Sequence, residues 1–135
     1  MNLFPDTITV FNMFSTETKK LWLPTVVKGA SFELDENTIR NRVGLANADT
    51  VNCYVNKPAR SENVYVSPYD YALMELEVAR KHFTFRKGDM IAKGEVNLGE
   101  MSINEFKNRY GNLYVITGVS DFDFGRVSHY LICAK

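Results

Sequence analysis

Residues 85–132 hold the feature that most limits the fold: three apolar extended stretches set apart by glycine-bearing turns and one short helix. Phe85-Arg86-Lys87-Gly88-Asp89 reads as a turn that launches a strand, Met90-Ile91-Ala92-Lys93-Gly94-Glu95-Val96. Leu113 to Ser120 has the strongest β propensity in the chain. Val127 to Ala134 reads as the last strand, after a turn at Asp121-Phe122-Asp123-Phe124-Gly125. Between them, Ser102-Ile103-Asn104-Glu105 matches a capping box, and Gly111 supplies the C-terminal stop of a helix ending at Tyr110. Together these elements read as the closing half of a small β-barrel. None of them carries a catalytic pattern.

The preceding residues fit the same plan. Thr7 to Phe14 is rich in β-branched and aromatic residues and predicts a first strand, with a polar turn at Ser15-Thr16-Glu17-Thr18. Leu21-Trp22-Leu23 resumes the pattern; Pro24 has no N–H to give a ladder, so it marks a sheet edge or a bulge. Gly29 stands before Phe32 and Leu34, which alternate with polar neighbours, and predicts a bulge or tight turn there. Thr50 to Val55 alternates strictly, which puts Val51, Cys53 and Val55 on one face of a strand. Ser67-Pro68-Tyr69-Asp70 is a helix start, and the spacing predicts a helix over 67–81. Its packed face is Ala72, Leu73, Leu76 and Ala79; Glu75, Glu77, Arg80 and Lys81 solvate the other side. The expected fold is a single mainly β domain over 1–135, a barrel or sandwich of about eight short strands with two short helices.

Residues 35–49, Asp-Glu-Asn-Thr-Ile-Arg-Asn-Arg-Val-Gly-Leu-Ala-Asn-Ala-Asp, show neither strand nor helix periodicity. A connection this long inside a compact domain is expected to be either an interaction loop or a flexible linker. As an interaction loop, its contact residues are Arg40, Arg42, Val43 and Leu45.

Charge and side-chain chemistry narrow the function. The 16 basic and 16 acidic side chains cancel, whereas a sequence-independent phosphate binder needs a cationic surplus, so nucleic acid is disfavoured as the main partner. Cys53 and Cys133 have no metal-ligand spacing and read as small buried thiols; His82 and His129 lack a ligand partner at helical spacing. No metal, cofactor or catalytic residue is expected. No apolar run approaches the ~20 residues that span a bilayer, and the N-terminus lacks the basic and apolar regions of a secretion signal. A soluble chain in a reducing cytoplasm, with no membrane partner, is expected. Gly88-Asp89, Gly94 and Gly125 read as structural turns, with Gly88 at positive φ and Asp89 bonding nearby amides. His129 reads as a buried polar group tied to such a turn or as a rim contact.

Taken in order, four groups of residues carry a family resemblance. They are Trp22…Thr25-Val26-Val27-Lys28-Gly29, Gly44-Leu45-Ala46-Asn47-Ala48-Asp49-Thr50-Val51, Gly88-Asp89-Met90-Ile91-Ala92-Lys93-Gly94, and Ile116-Thr117-Gly118-Val119…Asp123-Phe124-Gly125…His129-Tyr130. The chain resembles small proteins encoded by tailed phages and prophages of Gram-positive bacteria, in the genes for head completion and head–tail joining. It departs from that group at Tyr130, where relatives carry Trp. More loosely, the second half is similar to the head-closure (stopper) proteins, small SH3-like barrels that form a ring beneath the portal and adaptor and help retain packaged DNA. The shared features fall at Gly88-Asp89, Met90-Ile91, Tyr114-Val115-Ile116 and His129. The resemblance implies a virion protein of the head–tail connector or neck, assembled in the host cytoplasm as a ring homo-oligomer. Its partners would be portal, adaptor and tail proteins, with incidental contact to DNA in the channel; Arg40 and Arg42 would face DNA or a neighbour's acids. A tail-terminator, tail-completion or minor capsid role is the nearest alternative. A monomeric SH3- or OB-like binding module is another, with Tyr54, Tyr65, Phe83, Phe85 and Tyr114 as its ligand surface.

Overall fold

The computed structural model describes residues 4–39, 46–98, 102–123 and 128–135. Six strands close a barrel. In chain order they are β1 (Asp6–Ser15), β2 (Lys20–Ile39), β3 (Ala46–Arg60), then β6 (Met90–Lys93), β7 (Tyr114–Phe122) and β8 (His129–Ala134). Around the barrel the order is β1-β2-β3-β8-β7-β6, and each ladder, including the β6–β1 seam, is antiparallel. A parallel pair lies apart from it, β4 (Val64–Tyr65) with β5 (His82–Phe83).

Alternation along the strands builds the interior. Ile8 and Val10 from β1, Val51, Cys53 and Val55 from β3, and Ile132 and Ala134 from β8 point inward and are buried. Phe83 and Phe85 plug this core with edge-on rings 5.6 Å apart, and Tyr65 packs on both. The opposite face of β1 carries Phe11, which is buried with Ala92 and Leu113 under the helix α3 (Ile103–Tyr110). Trp22 packs half-buried against that cluster. Helix α3 starts where Ser102 accepts the Glu105 N–H and stops at Gly111, whose φ of 66° closes the last turn.

Two expectations change. The helix over 67–81 is two short pieces, α1 (Pro68–Ala72) and α2 (Leu76–Ala79), so the described residues hold three helical segments rather than two. The N–H groups of Leu73 and Met74 bond three residues back, to Asp70 and Tyr71, which tightens the end of α1; Glu75 then turns extended (φ −78°, ψ 161°). This break lets Tyr71, Met74, Leu76 and Ala79 pack around Leu23 of β2, and it leaves Leu73 exposed rather than packed. The strands are also unequal. At 20 and 15 residues, β2 and β3 are far longer than the short strands expected, and they reach well past their barrel neighbours.

Candidate assembly site

The length of β2 and β3 carries both strands past the rest of the barrel. β1 leaves its ladder with β2 at Asp6↔Ala30, and β8 leaves its ladder with β3 at Ala134↔Val51. Beyond those points, among the described residues, β2 and β3 pair only with each other, through Asp35↔Thr50, Glu36↔Asp49, Asn37↔Ala48, Thr38↔Asn47 and Ile39↔Ala46. Five residues of strand make a ribbon roughly 17 Å long standing off the barrel. Residues 35–39 and 46–49 are therefore strand, which corrects the expectation of an irregular connection. A ribbon that leaves the barrel has no sheet neighbour to impose hydrophobic alternation, so its strand character was hidden. Arg40, Arg42, Val43 and Leu45 lie outside the described residues.

At the root of this arm, β2 changes partner. Gly29, at φ +81°, is the extra residue of a bulge that shifts the β1 register between Thr7↔Lys28 and Asp6↔Ala30. A side chain there would meet the Arg60 guanidinium at 3.2 Å. Just past the bulge, the Asp6 carboxylate accepts the Phe32 N–H at 2.8 Å and ends the β1 side of the ladder.

The barrel seam is built around Asp89. Its carboxylate is buried and accepts from Asn12 Nδ2 (2.8 Å), from Arg86 Nε and Nη2 (3.0 and 3.2 Å), and from the Met13 N–H (3.3 Å). Arg86 also donates to the Met13 carbonyl at 2.6 Å. The ion pair thus answers both backbone groups of Met13, two residues past the last β6 partner of β1. On the other side, Gly88 N–H bonds the Ile116 carbonyl and the Ile116 N–H bonds the Asp89 carbonyl, which fastens the same turn to β7. Asn12, buried, completes the network by exchanging bonds with the Thr84 backbone (2.8 and 3.2 Å). Gly88 has φ +96° and Gly94 φ +85°; Gly94 donates to the Thr7 carbonyl and accepts from the Thr9 hydroxyl. Asp89 differs from expectation: it reaches β1, 76 residues away in sequence, as well as Arg86 in its own turn.

The remaining site residues fall elsewhere. His129 is half-buried in β8, stacked on Phe122 at 5.1 Å and tilted against Tyr54 at 5.8 Å. Gly125 lies outside the described residues. The aromatic ligand surface of a binding module does not form, because Phe83 and Phe85 are fully buried. Tyr65 packs against them, and its hydroxyl is pushed up to about 12, chiefly by burial. Burial, helped by the Asp6 charge, likewise raises the Cys53 thiol to about 12, so it is no nucleophile at neutral pH. Cys133 is only half-buried, against the expectation for both thiols. Among the described residues no three His, Cys, Asp or Glu side chains group to hold a metal ion, and no helix is long and apolar enough to cross a membrane.

A model described as a family of unknown function, DUF6751, matches residues 3–135, and the chain belongs to that family. No curated protein and no solved structure matches it.

Proposed function

We propose that this member of the family is a structural subunit of a tailed-phage neck, a head-closure ring protein that joins portal and adaptor to the tail and helps retain DNA. The observation that carries the reading is the two-stranded arm of β2 and β3 standing off a closed barrel. A closed barrel has few edges of its own to pair, so it is a stable block. The arm adds a contact element that reaches a neighbour or the channel, and a ring needs such an element because its contacts join unlike patches on each copy. The sequence resemblance supplies the setting, and the balanced charge favours protein neighbours over DNA as the main contact.

The test is electron microscopy of the purified chain alone and with portal and adaptor, together with particles lacking the gene. Rings beneath the adaptor, and mutant heads that lose DNA and take no tails, are the expected result. Stable DNA-filled heads without tails would place the protein at tail completion instead. A chain that remains monomeric under every condition would overturn the ring.

A further inference from the structure

Among the described residues, the two halves of β2 are open on opposite sides. Met13 points its backbone groups away from β2, toward Arg86 and Asp89, so alternation directs those of Leu21, Leu23, Thr25 and Val27 at β1. The groups of Lys20, Trp22 and Val26, with the Pro24 carbonyl, face the other way. No strand pairs with them among the described residues, because the β3 ladder begins only at Lys28↔Arg60. Two recesses of about 500 and 560 Å³ adjoin this stretch, one between Pro24 to Val26 and Arg60 to Asn63, the other between Lys20 to Trp22 and the start of α3 with Leu98. Past Gly29 the arrangement inverts. Phe32 turns its N–H to Asp6, away from β3, so Leu34, Glu36 and Thr38 present their backbone groups on the side that β1 has left. Charge divides at the same point. Residues 19–28 hold Lys19, Lys20 and Lys28 with no acid, and residues 31–39 hold Glu33, Asp35 and Glu36 with no base.

We infer that β2 is a head-to-tail connector between copies of this chain: the open edge at Leu34–Thr38 of one copy adds as a strand to the open edge at Lys20–Trp22 of the next. The inference rests on the ring reading and names its interface. Two free edges on opposite sides of one strand are unlike patches, so the contact is heterologous and repeats from copy to copy. Main-chain hydrogen bonds supply the attraction, as in strand addition generally. The lysine half facing the acidic half selects this pairing over either half meeting its own kind. Pro24 offers no N–H, so the added ladder ends there and the register is set at Lys20 and Trp22.

The full chain and its variants are compared by sedimentation velocity over a range of concentrations, with circular dichroism to confirm folding. Lys20→Pro and Glu36→Pro each remove an N–H that no internal ladder uses, and each is expected to weaken self-association at least tenfold. Lys19→Glu/Lys20→Glu and Asp35→Lys/Glu36→Lys, made separately, are expected to do the same, whereas mixing the two charge-reversed chains restores association. Folded variants that assemble like the unmodified chain would overturn this interface while leaving the ring reading intact. An unmodified chain that never self-associates would overturn both.

Discussion

The seam at Asp89 and the arm of β2 and β3 solve opposite problems with the same backbone chemistry. At the seam, β6 is only four residues long, and the polar groups of β1 that outrun it are answered by the buried Asp89 carboxylate and the half-buried Arg86 guanidinium. On the arm, β2 and β3 outrun β1 and β8, and the cap the described residues show is the Asp6 carboxylate at Phe32. One region spends polar side chains to close the barrel; the other leaves main-chain groups available. The difference separates where side chains close the fold from where its backbone runs on past its neighbours.

The contrast breaks if the two regions respond alike to substitution. Asp89→Ala strands the Arg86 guanidinium and the Met13 N–H in a largely buried site, and should cost about 3 kcal/mol in urea unfolding followed by Trp22 fluorescence. Asn12→Ala leaves the Thr84 N–H and carbonyl without their partner; a loss of about 2 kcal/mol is expected in the same assay. Gly29→Ala forces a side chain into positive φ against Arg60, for roughly 1–2 kcal/mol. Replacing residues 36–49 by a two-residue Asn-Gly turn, which keeps the Asp35↔Thr50 pair, should move stability by less than about 1 kcal/mol while abolishing self-association. An arm replacement as costly as Asp89→Ala would show that the arm belongs to the folding unit.

A smaller effect sharpens the interior side of the comparison. The Cys53 thiol ordinarily titrates near 9 and is held to about 12 in the folded chain by burial. The unfolded chain gives up that proton first. Stability is therefore whole below about pH 9 and declines as pH rises toward 12, with Tyr65 adding to the decline above about 10. The urea midpoint of Cys53→Ala should fall less steeply between pH 9 and 11 than that of the unmodified chain.

Much of the barrel was legible because burial writes a period of two into a strand. Val51, Cys53 and Val55 alternate in sequence and are all interior. Local chemistry was equally readable: Ser102 and Gly111 bound α3, Gly88 and Gly94 take positive φ, and Pro24 lies where β2 has no partner on its open side. Tyr71 in place of Leu73 as the packed residue was not legible, since the break at Glu75 resets the helical period. Nor were Phe83 and Phe85 as core, because two aromatics in a short extended stretch look the same whether they face solvent or the barrel axis.

By itself, then, the sequence determined element type, turn positions and which strand faces are apolar, all of which follow from interactions within a few residues. Tertiary structure alone decided that Asp89 bonds Asn12 and Met13, and that β2 passes from β1 to β3 at Gly29. It also decided that residues 35–39 and 46–49 form an arm. Those outcomes depend on which strands end first around a closed barrel, and a strand's own residues do not record where its neighbours stop.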